Sequence, residues 1–221
     1  ALLTPQGKYL FDFFVLKRAW DNFLIDINST FSCSFIKRLI VYRLRSNVKM
    51  EKTNFKVFLG FENKPKDAFI DPRCIEMGWR LYLTPQVQDL KYEKFDKNIF
   101  DFLRVKFCVP ESGIELQQEK TFVLEAGFER MSGVSFVKGC YVGQEVTAKM
   151  KHRTELKRGL VTVELDNAKT SSYGNKIECG KKIVGTLFTR VGNRGIAYLN
   201  YKYQNANLKL GTSNIVKINN Y

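Results

Sequence analysis

Three features that many functional classes require are scarce or missing in this sequence of 221 residues. Histidine occurs once, at position 152, so any Ser-His-Asp triad or histidine-containing zinc site would have to use that residue. The five cysteines are scattered, contain no C-x-x-C pair and are odd in number, which favours a reducing compartment over a disulfide framework. Near the start, the longest apolar run is only FFVL, bounded by Asp12 and Lys17, and no signal-peptide pattern opens the chain. We therefore expect a soluble chain with no membrane partner.

Negative charge is also in short supply. Lysine and arginine number 36 against 22 aspartates and glutamates, which gives a net charge of +14. Such a surface attracts anions, including RNA and phosphates. The excess is largely lysine in a chain that is also rich in Asn, Ile, Phe and Tyr, a pattern that A/T-rich codon usage produces as well. Nucleic acid is therefore an open partner and not the primary one.

The first 45 residues predict a hairpin followed by a helix. Two runs rich in aromatic and β-branched residues, 8–16 and 22–27, flank the polar stretch KRAWDN, as in a hairpin with a loose turn. Ser32 or Ser34 would then cap a helix. Its apolar residues recur at spacings of three and four: Phe35, Ile36, Leu39, Ile40 and Leu44.

Two later regions differ from the first in composition and in the pattern of their apolar residues. Residues 46–106 contain the strand candidates FKVFLGF and WRLYLT, separated by a proline-containing loop, and predict an inserted α+β module. Beyond residue 152 the chain becomes strand-like and glycine-rich. Short strands at regular spacing predict a small β-barrel. The strand candidates there are GLVTVEL, KIVGTLFTRV, GIAYLNY and NIVKI.

The stretch VKGCYVGQEV, residues 137–146, concentrates chemically distinctive residues. Gly139 and Gly143 permit close backbone approach or a positive φ, which predicts that Cys140 is presented on a tight turn. The charge of Lys138 would favour the thiolate, the form that binds soft metals and oxidises reversibly. Free cysteines more often act as small buried hydrophobes. We assign that role to the four others, Cys33, Cys74, Cys108 and Cys179.

Two interpretations remain open for the residues after Cys140. Gln144 and Glu145 would hydrogen-bond a polar heterocycle or stabilise the start of a following helix. The basic residues that follow form either a solvated connector or a cradle for a carboxylate or phosphate. They are Lys149, Lys151, His152, Arg153, Lys157 and Arg158.

The run KGCYVGQE, continued by VTAKMKHR, resembles the signature of the YgfZ family, folate-binding relatives of the glycine-cleavage T-protein involved in maintaining iron–sulfur enzymes. The resemblance extends over most of the chain. It includes LLTPQGKYLFDFFV, YRLRSNV, DPR…GWRLYL, FVLEAGFERMSGVSFVKGCYVGQE and KIVGTLFTRVGNRGIAYL.

The resemblance implies an α+β, T-protein-like multidomain fold. Its first domain would be split between residues 1–45 and 107–152, around an inserted ferredoxin-like module at 46–106. A C-terminal β-barrel would occupy 153–221, and tetrahydrofolate or another reduced folate would lie in the central cavity. A further strand and turn are expected ahead of Leu2.

The resemblance also implies site residues. Glu125, within LEAG, would hold the pterin, whose adjacent N–H donors suit a carboxylate. Lys151 and Arg153 would meet the glutamate tail. Cys140 would be a redox residue or a contact to an iron–sulfur cluster shared with a partner, because one cysteine cannot supply four thiolates. The residues framing this thiol and cavity would be Lys138, Gly139, Tyr141, Gly143, Gln144 and Glu145.

The function implied is support of iron–sulfur cluster assembly or repair in other proteins, including enzymes that modify tRNA, with carrier or client proteins as partners. The location would be the bacterial cytoplasm or the mitochondrial matrix. One alternative is aminomethyl transfer of the T-protein type. The segment NSTFSCSF replaces the asparagine-alanine segment that leads to the catalytic aspartate of T-proteins, and Asp26 is expected to be structural or pocket-lining. A second alternative is a basic RNA-binding module.

Overall fold

The N-terminal region folds into two small antiparallel sheets and a helix. The computed structural model describes residues 1–86, 96–153, 155–167 and 176–221. Two antiparallel pairs form, and the second, between Phe14–Lys17 and Phe23–Asp26, confirms the predicted hairpin, although its first run, 8–16, is divided between two strands. The elements are β1 Leu2–Leu3, β2 Tyr9–Phe11, β3 Phe14–Lys17, β4 Phe23–Asp26 and α1 Ser32–Arg43.

Helix α1 packs through its first turns only. Phe35 is buried against Leu10 and Phe11 of β2, with which it forms a small aromatic and aliphatic core. Leu44, expected on the buried face, is 84% exposed. The predicted serine cap is wrong, because a 3₁₀ turn at Ser29–Phe31 precedes the helix and its cap position is occupied by Phe31, without a side-chain cap.

The middle of the chain forms a three-stranded antiparallel sheet in the order β5-β7-β6. Its strands are β5 Lys56–Gly60, β6 Phe69–Ile70 and β7 Trp79–Leu83, and helix α2, Lys97–Lys106, follows. Positions 87–95 of the predicted module lie outside the described residues. The ferredoxin-like assignment and the domain boundaries stay predictions.

The C-terminal part is a closed six-stranded barrel in the order β10-β11-β8-β13-β12-β9, which confirms the barrel prediction. It follows helix α3, Gln144–Arg153. The strands are β8 Arg158–Leu165, β9 Lys176–Cys179, β10 Lys182–Val191, β11 Arg194–Asn200, β12 Leu208–Leu210 and β13 Ser213–Asn219. Inward side chains of alternate residues, such as Val161, Val163 and Leu165 on β8, fill its interior. Positions 168–175 of the predicted barrel domain are not among the described residues.

A shared core joins the segment after α2 to the barrel. Val109, Val123 and Phe128 pack in one cluster with Leu160 of β8 and Ile196 of β11. The barrel therefore serves as a platform for the segment that carries the LEAG sequence. Among the residues that the structure describes, no helix has the length and apolar character needed to cross a bilayer.

A buried ion pair reinforces the same junction. Arg104 of α2 is 1% exposed and donates to the carbonyl of Val109 at 3.1 Å, and its guanidinium lies 3.4 Å from the Glu115 carboxylate. Glu115 in turn accepts from the Thr189 backbone N–H of β10 at 3.2 Å and from the Glu111 N–H at 2.9 Å. One polar network thus connects α2, the loop after it and the barrel.

Candidate functional site

Cys140 lies on a solvent-exposed loop that ends shortly before helix α3. The loop residues Val137, Lys138, Gly139 and Cys140 are all exposed, and Val137 is 98% exposed. Gln144, the first residue of α3, accepts a hydrogen bond from the Tyr141 N–H through Oε1 at 3.4 Å. Gln144 therefore stabilises the helix start, which was one of its two interpretations. A protein partner can reach the Cys140 thiol without any rearrangement of the core.

The other four cysteines do not share one environment. Cys108 is buried, and burial raises the pKa of its thiol to about 12. Cys74 and Cys179 are half-buried. Cys33 is exposed, so the expectation that it acts as a small buried hydrophobe is wrong: it lies in the first turn of α1, on the side away from Phe35. Burial alone thus separates Cys108 from the exposed thiols of Cys33 and Cys140.

The two glycines that frame Cys140 have different roles. Gly143 has a φ of +84°, and a Cβ there would lie 2.5 Å from the Thr4 carbonyl oxygen. Position 143 therefore requires glycine, both because of its backbone conformation and because a Cβ would not fit, as predicted. Gly139 meets neither condition, because its φ lies outside the left-handed region and a Cβ would have nothing within 4 Å. The expectation that Gly139 serves a close approach or a positive φ is wrong.

This contrast gives a matched pair of variants. Gly143→Ala is expected to lower the free energy of unfolding by about 1–3 kcal/mol, because it combines left-handed backbone strain with a clash against Thr4. Gly139→Ala should change it by less than about 0.5 kcal/mol. Urea unfolding followed by circular dichroism measures both. Equal midpoints for the two variants would contradict this account of the loop.

Tyr141 anchors the loop to the core. Its ring packs against a core cluster, and the Lys138 ammonium lies 5.1 Å from the ring centroid. Burial raises the pKa of the Tyr141 hydroxyl. That hydroxyl is buried and has no hydrogen-bond partner among the described residues. Lys138 and Tyr141 together thus attach the Cys140 loop to the core.

Glu125 lies where the LEAG segment meets the barrel. Its backbone carbonyl accepts from the Leu160 N–H of β8 at 2.8 Å, and its Oε2 accepts from the Tyr198 hydroxyl of β11 at 2.6 Å. Burial and the Glu125 carboxylate raise the pKa of Tyr198, which therefore remains a proton donor at neutral pH. The ammonium of Lys8 also interacts electrostatically with Glu125.

A reduced pterin fits this arrangement chemically. Tyr198 occupies one lone pair of Oε2 and holds the half-buried carboxylate in one orientation, while the second oxygen is left to accept. Carboxylate oxygens accept in pairs from adjacent N–H groups, the pattern that a pterin ring presents. The residues present are therefore chemically compatible with the pterin contact that the resemblance implies for Glu125, and that contact stays a prediction. Sequence analysis missed Tyr198 and Lys8, because nothing local marks residues that only the fold brings to Glu125.

The predicted anion cradle on α3 is partly occupied by protein carboxylates. Lys151 pairs with Glu129 at 2.5 Å, and Lys149 pairs with Glu145 at 2.6 Å. The Lys149 partner holds the pKa of Glu145 below its usual range. Arg153, the last residue of α3, is exposed. Of the two residues predicted for a folate tail, Arg153 is thus the more available.

The thiol loop and Glu125 form two separate groups. Within the described ranges, no hydrogen bond or ion pair connects the loop at 137–140 to the side chain of Glu125, and no three His, Cys, Asp or Glu side chains gather as a metal site. A cluster at Cys140 would therefore depend on ligands from another protein.

Asp26 has the structural role expected of it. The Arg80 guanidinium of β7 donates to Asp26 Oδ2 through Nε at 2.9 Å and Nη2 at 2.5 Å, and the Tyr82 hydroxyl donates at 2.8 Å. These bonds connect the β3–β4 hairpin to the three-stranded sheet. The Asp26 carboxylate is thus engaged by a guanidinium and a phenol of the protein, which supports its structural role.

Comparison with known proteins adds two findings. Residues 157–216, most of the barrel, match the domain family described as CAF17, C-terminal beta-barrel domain. The chain is also similar to proteins named iron-sulfur cluster assembly factor IBA57, mitochondrial, or its homologue. The human protein is 27% identical over 89% of this chain and 63% of its own length. The Mycosarcoma maydis protein is 28% identical over 72% of this chain and 44% of its own length. The Dictyostelium discoideum protein is 31% identical over 58% of this chain and 38% of its own length.

The chain thus spans 38% to 63% of the length of these three relatives. The names of these relatives describe them as iron–sulfur cluster assembly factors and as mitochondrial proteins. They do not mention folate, tRNA or nucleic acid.

Proposed function

We propose that this chain is an iron–sulfur cluster assembly factor of the YgfZ type, which binds a reduced folate and offers the Cys140 thiol to a cluster held by a partner protein. The observation that carries the proposal is the exposure of Cys140 on a loop whose sequence, KGCYVGQE, is anchored by Tyr141 and Gly143. The similarity to iron–sulfur cluster assembly factors supports the same function, and the names of those relatives favour mitochondria as the location.

The chemistry at Cys140 is ligand exchange. The cluster is cargo, bound by thiolates of a carrier or client protein, and one additional thiolate can replace a weakly held ligand during transfer. Exposure of the whole 137–140 loop lets two protein surfaces meet around the sulfur. Lys138 places positive charge beside a cluster that carries net negative charge. Client proteins would include the iron–sulfur enzymes that modify tRNA.

Folate binding is the second part of the proposal. Glu125 would accept from the pterin N–H groups, Tyr198 would hold the carboxylate in place, and Arg153 would lie toward the glutamate tail. Bound folate would supply a reduced, redox-active ring between the first domain and the barrel. RNA binding through the lysine-rich surface remains a prediction with no contact that favours it.

The function is tested in cells that lack their own related assembly factor. Expression of the chain should restore the activities of iron–sulfur enzymes, measured in extracts, while an enzyme without a cluster serves as the reference. A well-expressed chain that leaves the cluster-dependent activities at the level of the empty vector would overturn the proposal.

Glu125→Gln tests the folate site. The substitution keeps the shape of the side chain and its acceptance from Tyr198, but replaces one acceptor oxygen by an NH₂ group that faces the pterin donors. Calorimetric titration with 5-formyltetrahydrofolate should show at least about tenfold weaker binding, or ~1.4 kcal/mol. Glu62→Gln, at an exposed glutamate in a loop of the three-stranded sheet, is the matched control and should bind like the wild type. Equal affinities for all three proteins would remove Glu125 from the site.

A further inference from the structure

A cleft of about 660 Å³ lies between β2, helix α1 and the turn at 118–119. This volume is within the range of small-molecule sites. Of the residues proposed for the cluster or found beside the Glu125 carboxylate, only Lys8 lines it. Its lining consists of Thr4, Pro5, Gln6, Lys8, Leu10, Phe11, Ser34, Arg38, Gln118 and Glu119.

Arg38 is the unusual member of this lining. Its Nε is buried and has no hydrogen-bond partner in the part of the chain that the structure describes. No carboxylate of the described residues lies within ion-pair distance of it. The Tyr42 ring, 5.9 Å from the guanidinium carbon, covers one face. A buried donor of a charged group without an acceptor is costly, and an acceptor supplied from the cleft would remove that cost.

Three other polar side chains of the cleft are already hydrogen-bonded. The Lys8 ammonium donates to the Lys120 carbonyl at 2.9 Å and lies over the Phe122 ring. Gln118 donates to the Leu10 carbonyl at 2.7 Å. The Ser34 hydroxyl donates to a carbonyl within α1. Unlike these three side chains, Arg38 has a buried donor without an acceptor among the described residues.

The charge and shape of the cleft restrict the class of ligand further. Glu119 adds a negative charge to the lining, which disfavours phosphates and other polyanions. Leu10 and Phe11 contribute an apolar wall beside Arg38. The planar guanidinium fork matches a carboxylate, whose two oxygens accept from Nε and one terminal nitrogen.

We infer that this cleft binds a small organic monocarboxylate, with its carboxylate on Arg38 and its apolar part against Leu10 and Phe11. The site is distinct from the proposed folate and cluster sites, because Lys8 is the one residue that it shares with the surroundings of Glu125, and the Lys8 ammonium is held by the Lys120 carbonyl. A ligand there would bridge β2 and α1, which meet in the small core around Phe35.

Phenylacetate is a suitable probe, with phenylacetamide as its neutral counterpart and inorganic phosphate as a different anion. Ligand-detected NMR titration of the full chain should give saturable binding of phenylacetate and at least tenfold weaker binding of the other two. Arg38→Gln should weaken phenylacetate binding at least tenfold. Lys37→Gln removes a neighbouring exposed charge of α1 that does not line the cleft, and should leave the affinity unchanged.

The remaining outcomes decide against the inference. Absence of saturable phenylacetate binding to the wild type, equal binding of phenylacetamide or phosphate, or retained affinity in Arg38→Gln would each overturn it. If Arg38→Gln does not fold, Arg38→Lys keeps the charge without the fork and should still lose most of the affinity. Glu125→Gln should bind phenylacetate like the wild type, which separates this cleft from the folate site.

Discussion

Replacement of Cys140 by serine is expected to abolish the support of iron–sulfur enzymes while leaving the fold intact. Cys140 is exposed and its side chain is not part of any core cluster, so the change from sulfur to oxygen has little effect on packing. A serine hydroxyl is a far weaker ligand for an iron–sulfur cluster than a cysteine thiolate, so the transfer contact is lost. Cluster-dependent activities in the deletion background should fall to the level of the empty vector, with unchanged protein abundance and unfolding midpoint.

Cys33→Ser is a stringent control for this experiment. Cys33 is equally a solvent-exposed thiol, and the Lys52 ammonium, 3.0 Å from its sulfur, lowers the pKa of Cys33. If thiol reactivity alone were sufficient, Cys33 would contribute as well. We expect the Cys33 variant to retain full activity. Full activity of the Cys140 variant, or equal losses in both, would show that the loop does not act through its sulfur.

Replacement of Arg104 by methionine should produce the largest loss of stability. Methionine approximates the volume of the side chain but removes its bonds to the Val109 carbonyl and the Glu115 carboxylate. Glu115 is itself 2% exposed, so its charge would be left buried without its arginine partner. Loss of one member of a buried ion pair costs about 3–5 kcal/mol. Urea unfolding followed by circular dichroism, supported by melting temperatures, measures the change.

The double variant Arg104→Met/Glu115→Gln distinguishes the ion pair from a simple packing effect. Since it removes both charges and keeps one of the two side-chain oxygens that accept from Glu111 and Thr189, it should be more stable than Arg104→Met alone. Arg43→Met, at an exposed arginine on the last turn of α1, serves as the surface control and should change stability by less than about 0.5 kcal/mol. A double variant less stable than the single one would contradict a buried charge as the cause.

The barrel could be predicted because its longer strands carry their pattern locally. β10 and β11 are ten and seven residues long and show apolar residues at strand spacing between glycine turns. β9 and β12, with four and three residues, are too short to show any period and were missed. For α1, the spacing predicted the helix but not that Leu44 would stay exposed, because burial depends on which element covers the face.

The same limit applies to the candidate site. Cys140 could be proposed because its whole motif is contiguous in the sequence. Glu125 was proposed by resemblance, but its partner Tyr198 is 73 residues away on a barrel strand. The pairing of Lys151 with Glu129 likewise arises from the fold, and no residue pattern predicted it. Residue patterns could not predict which side chains the tertiary structure brings into contact.

Closure of the barrel limits how another protein can attach to this chain. Every barrel strand is hydrogen-bonded on both sides, so the barrel offers no free edge to which a foreign strand could be added. Among the strands that the structure describes, only those of the small sheets, such as the β3–β4 pair, have a free edge for strand addition. A carrier or client that approaches the barrel side must be recognised through side chains and loops, and its specificity then depends on surface residues that can change without any change in the hydrogen-bonded framework.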